Sequence, residues 1–319
     1  MQLYGLDPTP ALAQAVAARL GRSLSAHEDR GFEDGEHKRR PLADPRGQDC
    51  YVIDSLHGDL ASSPDDKLCR LLMFIATLHE HGAARVTAVV PYLAYARKDR
   101  QTKPFDPVSL RQVAQLFEAV ATAQLVVLEA HNVAAFQNAF RIPTLHLSAH
   151  HTFTALAMTL VGAAPLVVAS PDPGGVKRAQ LWREDLAQVA GQAIGFALLD
   201  KRRSAGVLST ERLVAGDVDG ATVLLLDDLI ASGDTMARAA TALRQHGARQ
   251  VWAFAAHGLF TGDAAATLNA SDLAGVVVTD SVPAFRLPPT GLSHGKLQVC
   301  TVAALLAQAI KASQDAALR

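Results

Sequence analysis

The residues best suited to chemistry lie in the run 223–243, VLLLDDLIASGDTMARAATAL. There four aliphatic residues lead to the acidic pair Asp227 and Asp228, then a short loop, then a helix beginning near Thr235. Ser232, Gly233, Asp234 and Thr235 supply two hydroxyls and several backbone N–H groups at that helix N-terminus, where aligned peptide dipoles favour a phosphate. The two carboxylates before them suit ribose hydroxyls or a Mg²⁺ ion. Taken alone, Ser232 or Thr235 reads as a helix cap and the acids as a solvated strand end. The uninterrupted order of strand, acids, loop and helix favours a sugar-phosphate site instead.

Further polar groups follow other apolar runs. After AIGFALLD come Lys201, Arg202 and Arg203; Lys201 and Arg203, one residue apart on an extended segment, point the same way and suit a clamp on a pyrophosphoryl group. Asp172 stands in VVASPDPGGVKRAQ, where paired glycines let the backbone approach a ligand, although Pro-Asp-Pro-Gly-Gly by itself reads as a turn. His131 follows the strand VVLEA. His146, His150 and His151 form a denser histidine group, but no carboxylate or cysteine lies beside them in the sequence, so a metal role is set aside.

The elements that must position these groups read as repeated βα units. Residues 78–88 (LHEHGAARVTA) and 243–253 (LRQHGARQVWA) agree at six of eleven positions at an offset of 165, each ending a helix at a glycine and entering an apolar strand. Strands are expected at DCYVIDS, QLVVLEA, PLVVAS, AIGFALLD and ATVLLLDD, alternating with helices. In open parallel sheets ligands bind beyond the carboxyl ends of the strands, which is where these polar residues fall.

Composition agrees. The chain has 319 residues, 49% hydrophobic and 19% charged, enough for two cores. Thirty basic against 31 acidic residues leave a formal charge of −1, which argues against nucleic-acid binding as the main role. Cys50, Cys69 and Cys300 are isolated and read as reduced thiols in a cytoplasmic protein. The first residues, MQLYGLDPTP, lack a basic region followed by an apolar one and do not read as a signal peptide. The stretch 142–171 carries no charged side chain, but Pro143, Gly162 and Pro165 break it, so a short helix, a turn and a strand are expected rather than a membrane span.

The run 223–243 resembles the 5-phosphoribosyl 1-pyrophosphate loop of type I phosphoribosyltransferases and of ribose-phosphate pyrophosphokinases. Four more segments are similar to the second family: YARKDR at 95–100, the strand ending Glu-Ala-His at 129–131, SPDPGGVKRA at 170–179, and the Lys-x-Arg at 201–203. A fifth, FEDGE at 32–36, resembles that family's N-terminal Phe-Ser-Asp-Gly-Glu. The resemblance implies an α/β fold of two tandem type I phosphoribosyltransferase-like domains, each a mostly parallel sheet flanked by helices. The domains would be 1–148 on the ATP side and 149–300 on the ribose 5-phosphate side, with a helix near 301–312 packing back on the first.

It also implies an activity: transfer of the pyrophosphoryl group of Mg-ATP to the C1 hydroxyl of D-ribose 5-phosphate, giving 5-phosphoribosyl 1-pyrophosphate (PRPP) and AMP. The roles carried over are Lys201, Arg203 and His131 for catalysis, and His131 with Asp172 for Mg²⁺. Phe32, Asp34, Gly35, Glu36, Arg97, Lys98 and Asp99 would bind ATP. Arg203, Asp227, Asp228, Ala231, Ser232, Gly233, Asp234 and Thr235 would bind ribose 5-phosphate. Lys98 replaces the usual Gln, and Ala231, Ser232 and Asp234 depart from the family's Asp-Thr-Gly-Gly-Thr; Asp234 is expected to face solvent, away from the phosphate. An adenine loop that reaches a neighbouring subunit implies a homo-oligomer, dimer-based and up to a hexamer, with neither membrane nor nucleic acid as partner. An ordinary phosphoribosyltransferase and a non-catalytic regulatory homologue are the competing readings.

Overall fold

A computed structural model describes the chain except residues 8–9, 161–163, 205–206 and 318–319, and except the further side chains of 201–212, 294 and 316–317. It divides into two units, Met1–Ser148 with Val302–Arg319, and Ala149–Thr301.

In the first unit the elements run β1 (Gln2–Gly5), α1 (Ala11–Arg19), β2 (His27–Gly31), β3 (His37–Pro41), β4 (Asp49–Ile53), α2 (Pro64–Glu80), β5 (Arg85–Val90), α3 (Ser109–Ala119), β6 (Gln124–Leu128), α4 (Val133–Ala139) and β7 (Thr144–Leu147). Strands β1-β4-β5-β6-β7 form a parallel sheet in that order, and β2 and β3 form a separate antiparallel hairpin. Parallel strands covered on both faces must be apolar along their length, and Cys50 to Ile53 and Val86 to Val90 are buried without a break. Helix α2 starts at a capping box: Ser63 Oγ accepts from the Asp66 N–H, the Asp66 carboxylate accepts from the Ser63 N–H, and Pro64 fills the first turn. Its buried Leu68, Leu71, Leu72, Ile75 and Leu78 follow the helical period and enter the core with Phe117 and Phe136.

The second unit runs α5 (His150–Thr159), β8 (Leu166–Ser170), a 3₁₀ turn (Pro173–Gly175), α6 (Val176–Ala190), β9 (Gly195–Ser204), β10 (Val207–Ala215), β11 (Thr222–Ile230), α7 (Asp234–Gln245), β12 (Gln250–Gly258), α8 (Ala264–Ala270), β13 (Gly275–Thr279) and β14 (Leu297–Cys300). The sheet order is β10-β9-β8-β11-β12-β13-β14, parallel except for the β9–β10 pair. The chain then returns to the first unit as α9 (Ala303–Ala317), which packs on α1 and ties in through the Ser313 carbonyl, an acceptor from Arg85 Nη2 at 3.2 Å.

Both copies of the internal repeat close their helix in the same way. Gly82 and Gly247 have φ of +82° and +91°, and the next N–H, of Ala83 or Ala248, reaches back 3.0 Å to the carbonyl of Leu78 or Leu243. A left-handed glycine followed by this six-to-one hydrogen bond turns α2 into β5 and α7 into β12.

Two strands lie outside the sequence expectation. The polar stretch after Arg203, not among the expected strands, contains one: β9 continues to Ser204 and β10 pairs with it antiparallel, Arg212 opposite Lys201, with an irregular register between Leu208 and Arg212. The backbone there finds its hydrogen bonds across the hairpin in spite of the polar side chains. The uncharged stretch 142–171 also includes a strand before its helix, β7, on the edge of the first sheet. Among the described residues no helix is long and apolar enough to cross a membrane.

Candidate active site

In the second unit the acids stand on β11 near its carboxyl end. The backbone N–H of Asp228 donates to Asp227 Oδ1 at 2.9 Å, and Asp228 is buried. Burial first, and then the neighbouring Asp228, hold the Asp227 carboxyl well above the usual carboxylate range. Opposing that shift is Arg178, in the first turn of α6, whose Nη1 lies 3.8 Å from Asp227 Oδ1 and 3.9 Å from Asp228 Oδ1. Arg178 was given no role by sequence reasoning, although it stands in the SPDPGGVKRA segment; its acidic partners lie about fifty positions further on.

Arg178 is delivered by the turn before it. Asp172 Oδ1 accepts from the N–H groups of Gly174 (2.8 Å) and Gly175 (3.2 Å), and Ser170 Oγ donates to the Asp172 carbonyl at 2.7 Å. Gly175 has no room for a side chain: a Cβ there would sit 2.7 Å from Ser170 Oγ. The turn therefore packs against β9 and β11, and one oxygen of the half-buried Asp172 is committed to holding it.

Beyond β11 the segment Ala231–Thr235 leads into α7, whose N-terminus has no side-chain cap. Gly233 takes φ +83°, and a Cβ on it would meet Leu268 Cγ at 2.9 Å. The loop is fastened by the residues that follow β12: the N–H groups of Leu259 and Phe260 reach the Ile230 carbonyl at 2.9 and 3.2 Å, and that of Thr261 reaches the Ala231 carbonyl at 3.0 Å. Asp234 is exposed and accepts from Ser232 Oγ at 2.6 Å. That bond engages one of the two hydroxyls read as phosphate ligands. Lys201 and Arg203 lie on β9, with side chains outside the described residues.

In the first unit His131 follows β6 and is exposed. Glu129, two residues earlier, is buried with φ +45°, a left-handed conformation that costs a non-glycine residue on the order of 1 kcal/mol or more. Next to His131, Asn132 caps α4 through Oδ1, which accepts from the Ala135 N–H at 3.1 Å, and donates from Nδ2 to Asp99 Oδ2 at 2.6 Å. Asn132 thus joins the end of β6 to the 97–100 segment, where Arg97 is exposed and the Asp99 side chain nearly buried. Lys98 Nζ donates to Asp106 and to Thr102 Oγ1 (3.2 Å); the bond from Lys98, with those from the Thr102 hydroxyl (2.7 Å) and N–H (3.0 Å), pulls the Asp106 carboxyl far down.

Residues 32–36 form the turn of the β2–β3 hairpin. The Phe32 N–H donates to the Glu36 carbonyl at 2.7 Å, Asp34 Oδ1 accepts from the Glu36 N–H at 3.0 Å, and Gly35 takes φ +93°. Phe32 is 40% exposed, with the Arg30 guanidinium over its ring 5.3 Å from the centroid. These residues thus form three groups: the 32–36 turn, and the 97–100 segment with the residue after His131, both in the first unit, and the acidic pair, Arg178 and the α7 N-terminus in the second.

Two mostly parallel α/β units with charged groups beyond their strand ends define a two-unit α/β protein of the class that binds ligands at the carboxyl ends of its strands. Comparison with known proteins makes this more specific. Residues 1–121 match the family described as the N-terminal domain of ribose phosphate pyrophosphokinase, and 210–316 match the phosphoribosyl synthetase-associated domain. The ribose-phosphate pyrophosphokinase of Caldanaerobacter subterraneus subsp. tengcongensis is 34% identical over 97% of this chain and 93% of its own. That of Aquifex aeolicus is also 34% identical, over 95% and 93%. The crystal structure of phosphoribosylpyrophosphate synthetase from Mycobacterium smegmatis superposes with a TM-score of 0.85 at 31% identity, covering 98% of each chain. The chain belongs to the ribose-phosphate pyrophosphokinase family.

Proposed function

We propose that this protein makes PRPP and AMP from D-ribose 5-phosphate and Mg-ATP. The C1 hydroxyl oxygen of the sugar attacks the β-phosphorus of ATP; the bond from that phosphorus to the oxygen bridging it to the α-phosphorus breaks, AMP leaves, and the proton of the C1 hydroxyl passes to solvent or a nearby base. The observation that carries this reading is the acidic pair on β11, next to an uncapped helix N-terminus and pinned by Arg178: a place for ribose hydroxyls beside a place for the 5-phosphate.

Each group then has a task. The loop Ala231–Thr235 receives the 5-phosphate on its backbone N–H groups, with Ser232 exchanging Asp234 for a phosphate oxygen. Asp227 and Asp228 accept from the ribose hydroxyls. Lys201 and Arg203 meet the charge that spreads over the transferred group, where positioning and electrostatics supply most of the catalysis. His131 and Arg97 bind ATP phosphates, Asp99 supports them, and Phe32 stacks on adenine with Asp34, Gly35 and Glu36 at its edge. For Lys98 to reach the nucleotide it must leave Asp106.

The donors fit Mg²⁺, since a buried carboxylate whose charge is disfavoured is relieved by a cation. When bound, Mg²⁺ neutralises phosphate charge. In the second unit Asp172 would contribute Oδ2 to Mg²⁺, because Oδ1 holds the 3₁₀ turn; His131, in the first unit, is the ligand assigned to the Mg²⁺ that ATP carries. The three free cysteines suit the cytoplasm, and the exposed Phe32 turn suits a homo-oligomer in which it serves a neighbouring copy.

The test is phosphorus NMR of the protein with ribose 5-phosphate and Mg-ATP. AMP and a C1-linked pyrophosphate are expected from the wild type and not from Lys201→Ala. ADP or free phosphate as product refutes the reading, base-dependent release of pyrophosphate from PRPP reveals an ordinary phosphoribosyltransferase, and binding without turnover points to a regulatory homologue.

A further inference from the structure

A second cluster of ligand-type side chains lies within the second unit, apart from the groups given roles above. His150 and His151 open α5, and Asp185 stands in α6; the sequence separates them by 35 and 34 positions, so the carboxylate missing from the local histidine pattern arrives through helix packing. His150 Nε2 is 2.8 Å and His151 Nδ1 3.3 Å from the same Asp185 Oδ2, and the three atoms lie within 4.8 Å of one another.

The pairing of the two helices fixes this arrangement. Trp182, fully buried, donates from Nε1 to Thr154 Oγ1 at 3.2 Å and meets Phe153 edge-on at 6.2 Å between ring centroids. His150 is four residues before Thr154, and Asp185 is three after Trp182, so each lies one turn along the face that makes this contact. The histidine rings stand 4.3 Å apart, centroid to centroid. His150 is buried, the His151 side chain is 60% exposed and Asp185 38%: a rigid inner ligand, an adjustable outer one, and a side open to water.

We propose that His150, His151 and Asp185 bind a divalent transition metal of the zinc type, clasping α5 to α6. Two imidazole nitrogens and one carboxylate oxygen suit zinc, cobalt or nickel and not Mg²⁺, which prefers oxygen alone. With metal–ligand bonds of about 2.0–2.1 Å, the edge of a tetrahedron is about 3.3 Å. The His151–Asp185 separation already has that length, and the His150–Asp185 hydrogen bond needs to open by about half an ångström. A water fills the fourth position. The partial positive charge at the N-terminus of α5 opposes a cation, and the Asp185 carboxylate held against it offsets that field. This site lies wholly in the second unit and does not depend on the proposed reaction.

The test uses Co²⁺ as a visible probe on the full chain, stripped of metal, in excess Mg²⁺ so that oxygen-lined sites are filled. The wild type should take up one equivalent more than His151→Ala or Asp185→Asn, with visible bands of low coordination number that Zn²⁺ abolishes. In both variants affinity for that equivalent should fall at least about tenfold. Exposed His151 and the near-isosteric change at Asp185 leave the core intact, which unchanged circular dichroism and Mg²⁺-dependent turnover would verify. Undiminished binding by either variant, or none by the wild type, overturns the proposal.

Discussion

Arg178→Met removes the one cation described beside the acidic pair and keeps most of its volume. At an effective dielectric constant of about 20, a guanidinium and an ionised carboxylate 3.9 Å apart, as at Asp228, attract by about 4 kcal/mol before desolvation is subtracted, and Asp227, whose charge burial disfavours, adds less. Desolvation of the guanidinium, whose side chain is 11% exposed, takes back a large part; breaking a buried pair by removing one partner costs about 3–5 kcal/mol in comparable cases. Since Met restores packing, a loss of about 3 kcal/mol at neutral pH is expected. The pH dependence follows from the sign of the shift. The folded-state value of Asp227 already lies above its unfolded value, so its contribution to stability is greatest at low pH and is lost as pH rises through the folded value. Without Arg178 that value rises further, so the deficit of the variant is full above it and shrinks as pH falls toward the ordinary carboxylate range. Both tryptophans of the chain, Trp182 and Trp252, belong to the second unit, so their fluorescence in urea reports that unit alone. Mg²⁺ should restore part of the loss by replacing the missing cation. A variant as stable as the wild type, or a deficit that grows as pH falls, refutes the electrostatic account of this site.

Gly233→Ala places a Cβ at φ +83° against Leu268; a loss of about 1–3 kcal/mol in the same fluorescence assay and a raised KM for ribose 5-phosphate with little change in KM for ATP are expected. Asn132→Ala removes both the α4 cap and the bond to Asp99, at a cost of about 1 kcal/mol, and kinetics should show kcat falling while ribose 5-phosphate binding measured by calorimetry stays as it was. Ser63→Ala opens the capping box of α2, remote in sequence from every proposed ligand, so thermal unfolding should register about 1 kcal/mol and turnover should not change.

Strand positions were legible wherever burial forces a continuous aliphatic run. Leu166 to Ser170 and Thr222 to Leu226 are buried at every position, and residues of that kind have few alternatives to a parallel sheet. The hairpin of β9 and β10 was not legible, because it is held by backbone pairing between segments whose side chains alternate without a clear apolar face, VLSTERLVA opposite GFALLDKRRS. The glycine exits at Gly82 and Gly247 were readable because only the left-handed region ends a helix that way at no steric cost. Side-chain company across sequence distance was hidden: Arg178 meets Asp227 and Asp228, Asn132 meets Asp99, and Asp185 meets His150 and His151, pairings that exist only once helices and strand ends are packed.

The two repeats show how a scaffold and its chemistry separate. Leu78 and Leu243 accept the same hydrogen bond of the same length, so the junction from helix to strand is one structural solution used twice. What differs is the opposite end of the unit. Helix α2 begins with a capping box that satisfies its own N–H groups, whereas α7 begins at Gly233 with no side-chain cap. A capped N-terminus stabilises the fold by about 1 kcal/mol and leaves fewer donors for an anion; an uncapped one forgoes that stability and keeps its donors. With Asp227 held above its usual range beside it, the second unit keeps two unfavourable features at one strand end. A phosphorylated sugar, giving acceptors to the helix and hydroxyls to the acids, relieves the first, and a divalent cation relieves the second. Substrate and metal should therefore stabilise this unit against urea far more than they stabilise Gly233→Ala.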